Sequence, residues 1–542
     1  MNNNKLSPPP LYKDEAMMED DVFATEVDEA TNEDNSVKEK IPYPKHVFFI
    51  LGNEFCERYS FYGMKALLTL YFVNKLEYSK DQATIIYHTF VAFAYFMPII
   101  GSFISDQFLG KFKTIVYLSL VYILGHCIKS VASITSFSSI PHELTFIGLA
   151  LIAIGTGGIK PCVAAFAGDQ FVLPDQARQL QSFFSIFYMS INLGSLFSNI
   201  FGPMMRNVHC FGEEDCYPLA FGVPAALMII ATVIIVMGKR YYTIRPSDGV
   251  VTKSICIIGK GIKNIKCCKN STSKHWLDPA KQKYGAKLVN DVKPLLGVKG
   301  VLILFVPLTF FWAIFDQSGS RWTLQANDMG GKLGGWKLLP EQMQFINPAL
   351  ILLLVPIFDK VIYPLLAKWN ILVKPLQRMT AGVFISAVAF GISGVLDLHI
   401  QSNVEDSVHM LWQFPQYLVI TIAEILVSIT GLEFAYNQAP PSMKSIIQAC
   451  WLLSIAFGNL IVTIQASIGG LDNRASEIFL FTGLMFLCAI IFTLLAWFFV
   501  PREARLETED TEEGDNTELE DVGGDDMEMQ KIPLKHHLLL KT

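Results

Sequence analysis

The amino-acid sequence predicts an all-α membrane protein with about twelve transmembrane helices in two six-helix halves. Of its 542 residues, 51% are hydrophobic and 17% are charged, and the mean hydropathy is +0.37. This composition excludes an ordinary soluble domain. Apolar stretches long enough to cross a bilayer recur along the chain, and one long basic connection separates the first six from the last six.

The predicted spans are apolar segments that often contain glycine or proline, residues that membrane helices tolerate where they bend around a cavity. The segments cover residues 46–74, 81–108, 112–133, 143–168, 177–202, 217–238, 297–323, 341–366, 376–397, 411–435, 443–467 and 474–499. Two halves of six spans are typical of transporters built from a structural repeat, with a substrate site near the membrane midplane.

The spans divide the chain into five predicted regions. These are an acidic disordered tail (1–45), a six-helix bundle (46–238), a basic linker (239–296), a second bundle (297–499) and a second acidic disordered tail (500–542). Both tails are rich in acidic residues and poor in aromatic ones, which is typical of disorder. Within the linker, residues 275–293 are interpreted either as a surface amphipathic helix or as a simple connection.

The orientation follows from the distribution of lysine and arginine. With an even number of spans, the basic connections at 110–113, 239–297, 368–378 and 501–505 all lie on one side. The positive-inside rule makes that side cytoplasmic. We therefore expect a multi-pass protein of the plasma membrane with both termini in the cytoplasm.

The first predicted span contains three charged residues near its middle, Glu54, Glu57 and Arg58. At helical spacing the three can share one face. One charge at the bilayer centre costs about 2.5–3.5 kcal/mol on insertion scales, so these side chains must face protein or a wet cavity. They are either a structural ion pair between helices or a site that handles charge and protons inside the membrane.

The embedded charges differ between the halves. The first half contributes the cations Arg58 and Lys160, and the second contributes Glu433. A ligand with a carboxylate at one end and an ammonium group at the other would match this polarity. The alternative is that Arg58 and Glu433 each pair within their own half and no ligand intervenes.

Other embedded residues suit such a ligand. Trp312 and Trp451 are candidate aromatic walls, while Asn192 and Asn347 offer hydrogen bonds to amides. His88 is either a packing residue or, with Glu54 and Glu57, a group that accepts and releases a proton, because imidazole titrates nearest neutral pH.

Polar residues at the predicted membrane surfaces give two further expectations. Asp106 and Lys111 flank the turn after the second span and are interpreted as a cytoplasmic latch or as an ordinary charged turn. Cys210 and Cys216 lie in a predicted outer loop and are interpreted either as a disulfide or as two free thiols. No HExxH, GxSxG, P-loop or metal-ligand spacing occurs, so we expect no enzyme, no metal, no cofactor and no nucleic-acid partner.

Several motifs together resemble one family. They are NEFCERYSFYG (53–63), YHTFVAFAY (87–95), DQFLGKFKTIV (106–116), GTGGIKPCVAAFAGDQF (155–171), FFSIFYMSINLGSL (183–196), FWAIFDQSGSRWTLQ (311–325) and GLEFAYNQAP (431–440). In these motifs the chain resembles the proton-coupled oligopeptide transporters of the major facilitator superfamily, and is most similar to their animal di- and tripeptide transporters. The resemblance implies a proton-coupled symporter that imports short peptides, and peptide-like drugs, by alternating access as a monomer in a lipid bilayer.

The resemblance also implies roles for matching residues. Proton coupling falls to His88, Glu54, Glu57 and Glu433; substrate binding falls to Arg58, Lys160, Tyr71, Tyr95, Asn192, Trp312, Asn347, Glu433 and Trp451; gating falls to Asp106, Lys111 and Asp359. Protons are the coupling ion. The remaining alternatives are a related carrier for another anion or amino-acid derivative, and a peptide sensor that does not transport.

The sequence departs from the family pattern at three places. Gly300, with Lys299 beside it, stands where animal members have an arginine that is thought to pair with the acid equivalent to Asp359. Ser318 replaces a glutamine before GSRW. The large extracellular insertion between spans nine and ten is missing, so partners that dock through it should be absent.

Overall fold

The computed structural model describes residues 41–134, 140–244, 253–254, 256–260, 277–286, 288–290, 292, 301–404, 407–438, 444–469 and 473–499. The chain divides into two units, Met1–Phe498 and Phe499–Thr542. The predicted acidic tails lie outside the described residues, except for residues 41–45. Because both predicted bundles belong to the first unit, their boundaries at 46–238 and 297–499 stay a prediction.

Six long helices make up the first half. They are α1 (Val47–Asn74), α2 (Lys80–Leu109), α3 (Lys111–Ala132), α4 (Pro141–Gly168), α5 (Ala177–Arg206) and α6 (Tyr217–Arg240). The start of α2 shows how the sequence sets a boundary. The Ser79 hydroxyl accepts from the Gln82 backbone N–H while the Gln82 side chain accepts from the Ser79 N–H, which forms a capping box.

Six more helices make up the second half. They are α7 (Val301–Asn327), α8 (Pro340–Lys368), α9 (Pro375–Gln401) and α10 (Met410–Ala435), then α11 (Lys444–Ser467) and α12 (Arg474–Phe498). Between α7 and α8, a hairpin pairs β1 (Lys332–Leu333) with β2 (Trp336–Lys337) in antiparallel register. In the linker, the short helix Lys281–Tyr284 ends at Gly285, whose φ is 85°.

Eleven helices in the described part of the chain are long and apolar enough to cross a membrane. Helix α1 has 28 residues but is not among the eleven because Glu54, Glu57, Arg58 and Lys65 lie within it. These side chains are buried in the protein, so α1 needs no apolar surface at those positions. The prediction of an all-α membrane protein with about twelve helices is confirmed.

The helices pack within each half and meet across the halves. In the first half α1 packs against α5 and α6, and α4 packs against α2 and α3. In the second half α7 packs against α11 and α12, and α9 packs against α10 and α12. The most extensive contacts between the halves run from α2 to α11 and from α5 to α8, and α1 also contacts α7.

Several helices depart from α-helical geometry near the site. Helix α7 contains a 3-10 turn at Asp316–Gly319, and α10 contains a π-helical turn at Ile425–Ile429. Such turns often mark functional sites. Glycines allow α2 and α4 to approach closely, since a Cβ atom on Gly101 would overlap the backbone of Gly158. This approach brings Lys160 on α4 next to α2.

Candidate transport site

The three charged residues of α1 form one cluster. Arg58 Nε lies 2.6 Å from Glu54 Oε1 and 3.1 Å from Glu57 Oε2. The Thr156 hydroxyl on α4 donates to Glu57 Oε1 at 2.8 Å. In both ion pairs the closest Arg58 atom is Nε. Neither carboxylate therefore makes its closest contact with an Nη group. Arg58 therefore pairs within its own half.

Lys160 lies on aromatic rings beside this cluster. Its Nζ is 3.7 Å from the centroid of the Tyr95 ring and 4.3 Å from that of Phe61. This atom is buried and has no hydrogen-bond partner among the residues that the structure describes. Cation–π contacts offset only part of the cost of burying an ammonium group. A negatively charged ligand group at this place would be bound favourably.

A hydrogen-bonded network crosses between the halves next to this cluster. Lys65 Nζ on α1 donates to Asp316 Oδ1 on α7 at 2.7 Å. Asn459 Nδ2 on α11 donates to Asp316 Oδ2 at 2.7 Å. His88 on α2 contacts Asn459 Oδ1 through Nδ1 at 2.7 Å and Ser320 Oγ through Nε2 at 2.8 Å.

The network determines which nitrogen of His88 carries a proton. A carboxylate only accepts, so the Asn459 amide must direct Nδ2 to Asp316 and Oδ1 to His88. His88 Nδ1 must then donate. In the neutral ring Nε2 accepts from the Ser320 hydroxyl, and it is the nitrogen where an added proton binds. An added proton therefore arrives at a contact between the two halves.

The second half presents an acid of its own. Asn347 Nδ2 on α8 donates to Glu424 Oε2 at 2.7 Å and to Thr421 Oγ1 at 3.1 Å on α10. Tyr62 on α1 lies within electrostatic range of both Glu424 and Arg58. An acid of the second half and a base of the first half therefore lie near the same side chain.

Aromatic side chains close one side of the second half. The rings of Trp312 and Trp451 meet edge-on with centroids 6.0 Å apart, and Phe305 lies 5.4 Å from Trp451. Trp312 and Trp451 are 7% and 4% exposed. A wall of this kind accepts varied apolar groups without selecting one shape.

Comparison with known proteins identifies the family. The model of the POT family matches residues 112–470. The chain belongs to the POT family. It is 34% identical to solute carrier family 15 member 2 of Danio rerio, over 91% of this chain and 96% of that protein. It is 33% identical to peptide transporter family 1 of Drosophila melanogaster, over 90% and 92%, and 33% identical to human solute carrier family 15 member 1, over 88% and 96%.

A solved POT structure has the same fold. The crystal structure of the POT family transporter PepTSo superposes with a TM-score of 0.71 at 31% identity, over 84% of this chain and 98% of that one. The zebrafish alignment runs over 693 positions, more than the 542 residues of this chain. The relative therefore contains segments that this chain lacks. The chain is a multi-pass membrane protein, and its family consists of transporters and not of enzymes.

Two residues that the resemblance assigns to the POT site have the following surroundings. Glu433 is exposed near the end of α10, nine residues beyond Glu424. Tyr71 is fully buried inside the first half, where its hydroxyl lies 3.2 Å from Thr145 Oγ1. The roles of both residues stay predictions.

Asn192 and the predicted gating residues have the following surroundings. Asn192 Nδ2 donates to the Tyr188 carbonyl within α5 at 3.0 Å. Lys111 pairs with Asp169 at 2.6 Å, and the latch role of Asp106 and Lys111 stays a prediction. A cation there compensates the negative end of α4, whose last residue precedes Asp169. Asp359 is exposed within range of Arg378, whereas Lys299 and Gly300 lie outside the described residues.

The halves also meet at the end of the bundle that contains the α1–α2 turn. Three ion pairs define this outer contact: Lys80–Asp328 at 3.0 Å, Arg321–Asp81 at 2.8 Å and Arg206–Glu341 at 3.0 Å. Gly319 lies just inside it, where the Thr69 hydroxyl donates to its carbonyl at 2.8 Å. A disulfide joins Cys210 to Cys216 in the loop after α5.

The sequence analysis gave no role to four residues of this site, Lys65, Asp316, Ser320 and Asn459. All four make contacts between α1, α2, α7 and α11, with the contacting residues more than a hundred positions apart. The available signal was that a membrane helix with an uncompensated lysine requires an acid on another helix.

Proposed function

We propose that this POT-family protein is a symporter that imports di- and tripeptides together with protons by alternating access. The observation that supports it most directly is the charge polarity between the two halves. Arg58 and Lys160 belong to the first half, Glu424 belongs to the second, and both Arg58 and Glu424 lie within electrostatic range of Tyr62. A zwitterion matches this polarity.

The peptide carboxylate binds Arg58 and Lys160, because Arg58 offers a planar fork of donors and Lys160 lacks a hydrogen-bond partner. The peptide ammonium binds Glu424, which Asn347 holds in place. A free amino acid is too short to reach both ends, so chain length is selected. Side chains contact the aromatic wall around Trp312 and are recognised loosely.

The proton enters at His88 and acts on the contact between the halves. Protonation at Nε2 converts an acceptor into a donor, so the Ser320 hydroxyl must change from donor to acceptor. The new charge also lies near the Lys65–Asp316 pair. Both changes alter the contacts that join the halves here. Glu54 and Glu57 then receive the proton when the peptide carboxylate takes over Arg58.

The energy of one proton is sufficient for useful uptake. Moving one charge through ~100 mV releases ~2.3 kcal/mol. Since 1.4 kcal/mol is a factor of ten, this corresponds to roughly a 50-fold concentration ratio. The names of the relatives agree with the substrate: one is peptide transporter family 1, and a solved relative is called a proton dependent oligopeptide transporter.

The remaining features of the proposal concern the setting. The protein acts as a monomer in the plasma membrane. Both termini lie in the cytoplasm, as the lysine and arginine distribution predicts. It uses protons as coupling ion and needs no cofactor. Peptide-like drugs with a free carboxylate and amine fit the same polarity.

The test is uptake by purified protein in sealed vesicles. A labelled dipeptide should accumulate when the outside is acidified and the membrane is energised, and accumulation should collapse with a protonophore. Binding without uptake would instead indicate a peptide sensor. Uptake of an anion or an amino-acid derivative but not of dipeptides would indicate a related carrier.

A further inference from the structure

Arg206 at the end of α5 is shared between two acids, one in each half. Its Nη1 donates to Asp215 Oδ1 of the first half at 2.7 Å. Its Nη2 donates to Glu341 Oε2 of the second half at 3.4 Å. The guanidinium group therefore makes its shorter hydrogen bond with the acid of its own half, an acid that the transport mechanism above does not use.

The contact of Arg206 with Glu341 is poorly aligned. Arg206 Nε lies 3.0 Å from Glu341 Oε1, but neither atom has a hydrogen-bond partner among the residues that the structure describes. A guanidinium group that faced this carboxylate squarely would donate to both of its oxygens. Glu341 is 0% exposed, and a buried carboxylate oxygen without a donor is costly. The contact between the halves is therefore weaker than the same two side chains could make it.

Asp215 is held beside Arg206 by a loop that is closed on itself. The disulfide between Cys210 and Cys216 joins the two ends of the loop, and the Cys216 N–H donates to the Arg206 carbonyl at 2.7 Å. Glu213 of the same loop binds a lysine at the end of α1. All of these contacts lie within the first half, so they do not depend on the position of the second half.

We propose that Asp215 is a positioning residue that limits the strength of the contact between Arg206 and Glu341. Its hydrogen bond turns the guanidinium group away from Glu341. Its negative charge lies within electrostatic range of Glu341 and repels it. When the halves separate, Arg206 keeps an acid partner and the repulsion ends, so both effects favour opening of the outer contact.

The inference requires only that the outer contact opens and closes. It therefore goes beyond the proposed function and does not depend on peptide as the substrate. It also predicts an unusual sign, because loss of Asp215 should strengthen a contact between the halves. A substitution that merely loosens the fold would weaken that contact.

The experiment measures how often the outer contact opens, from the labelling rate of Thr69→Cys. Thr69 is 0% exposed and contacts Gly319 of the other half, so a membrane-impermeant maleimide applied outside cells reaches it only after opening. The full-length chain is used, with its accessible free cysteines replaced by serine. Asp215→Asn removes the charge and leaves a weaker acceptor. We expect labelling to become about fivefold slower, a modest factor because the Asp215 side chain is 38% exposed.

Two control variants show whether the effect belongs to this acid. Asp215→Glu keeps the charge next to Arg206 and should label within twofold of the parent rate. Glu214→Gln removes an exposed acid one position away in the same loop. It should also label within twofold of the parent rate, because a general change in surface charge is not the cause.

A double variant tests whether Asp215 acts through Glu341. Glu341→Gln should label at least tenfold faster than the parent, since it removes the acid of the second half. In that background Asp215→Asn should no longer slow labelling, because Arg206 then has no carboxylate in the second half to bind more tightly.

Three outcomes would overturn the inference. They are unchanged or faster labelling in Asp215→Asn, an equal slowing in Asp215→Glu or Glu214→Gln, and a slowing by Asp215→Asn that persists with Glu341→Gln. Failure of dipeptide uptake in the parent protein would refute the proposed function and leave these labelling rates interpretable.

Discussion

Breaking the Lys65–Asp316 pair should open the outer side of the protein. Lys65→Met leaves the Asp316 carboxylate buried, with Asn459 as its remaining donor. Removing one partner of a buried ion pair costs about 3–5 kcal/mol. Asn459 compensates part of this, so we use the lower value. In an outward-open state water reaches the carboxylate and the cost disappears. The equilibrium should therefore shift towards opening by about 3 kcal/mol, which is roughly 150-fold.

A cysteine at Thr69 measures this shift. Thr69 is 0% exposed and contacts Gly319 of the other half. A membrane-impermeant maleimide applied outside should label Thr69→Cys slowly in the parent protein and about a hundredfold faster with Lys65→Met. The double variant Lys65→Met with Asp316→Asn has no unpaired charge and should return to slow labelling. A single variant that labels within threefold of the parent, or a double variant as fast as the single one, would refute the reasoning.

Three other substitutions test the site. His88→Gln keeps hydrogen bonds to Asn459 and Ser320 but does not titrate, so uptake should lose its stimulation by external acid; an unchanged pH profile would remove His88 from coupling. Glu424→Gln should weaken binding of peptides with a free amine at least tenfold while sparing N-acetylated peptides. The control variant Glu433→Gln should leave the binding of both kinds of peptide unchanged. Competition binding measures both effects. Arg58→Lys should reduce affinity for free carboxylates more than for amidated peptides, and equal losses would indicate a purely structural role.

Local spacing explains what the sequence predicts well. Glu54, Glu57 and Arg58 are one turn apart, so their positions along one helix fix their proximity once the segment is helical. The same holds for the capping box at Ser79 and for the twelve apolar segments, because length and polarity are local properties. A disulfide across six positions is also a local prediction.

The face of a long apolar helix is harder to predict. Tyr62 and Tyr71 are nine residues apart in α1 and therefore project to opposite sides. Helix α1 is buried over most of its surface, with small hydrophobic asymmetry between faces, so hydropathy does not distinguish the two sides. In α10 a π-helical turn between Glu424 and Glu433 changes the angular register between the two acids, and hydropathy does not show that turn.

Contacts between distant helices were beyond local reasoning. Asn459 joins His88 to Asp316 only because α2, α7 and α11 meet at one level of the bundle. An asparagine in an apolar segment gives no sign of its partner. The charge of Lys65 required an acid somewhere, but several embedded acids met that requirement equally well.

Gly319 determines how closely the two bundles approach. A Cβ atom there would overlap the Tyr87 hydroxyl of the opposite bundle. The two bundles therefore approach this closely because residue 319 has no side chain. A single methyl group, as in Gly319→Ala, would act as a spacer that alters no charge and no titrating group. Such a variant would favour the outward-facing form. It would allow that form to be imaged in a protein that differs from the parent by one methyl group.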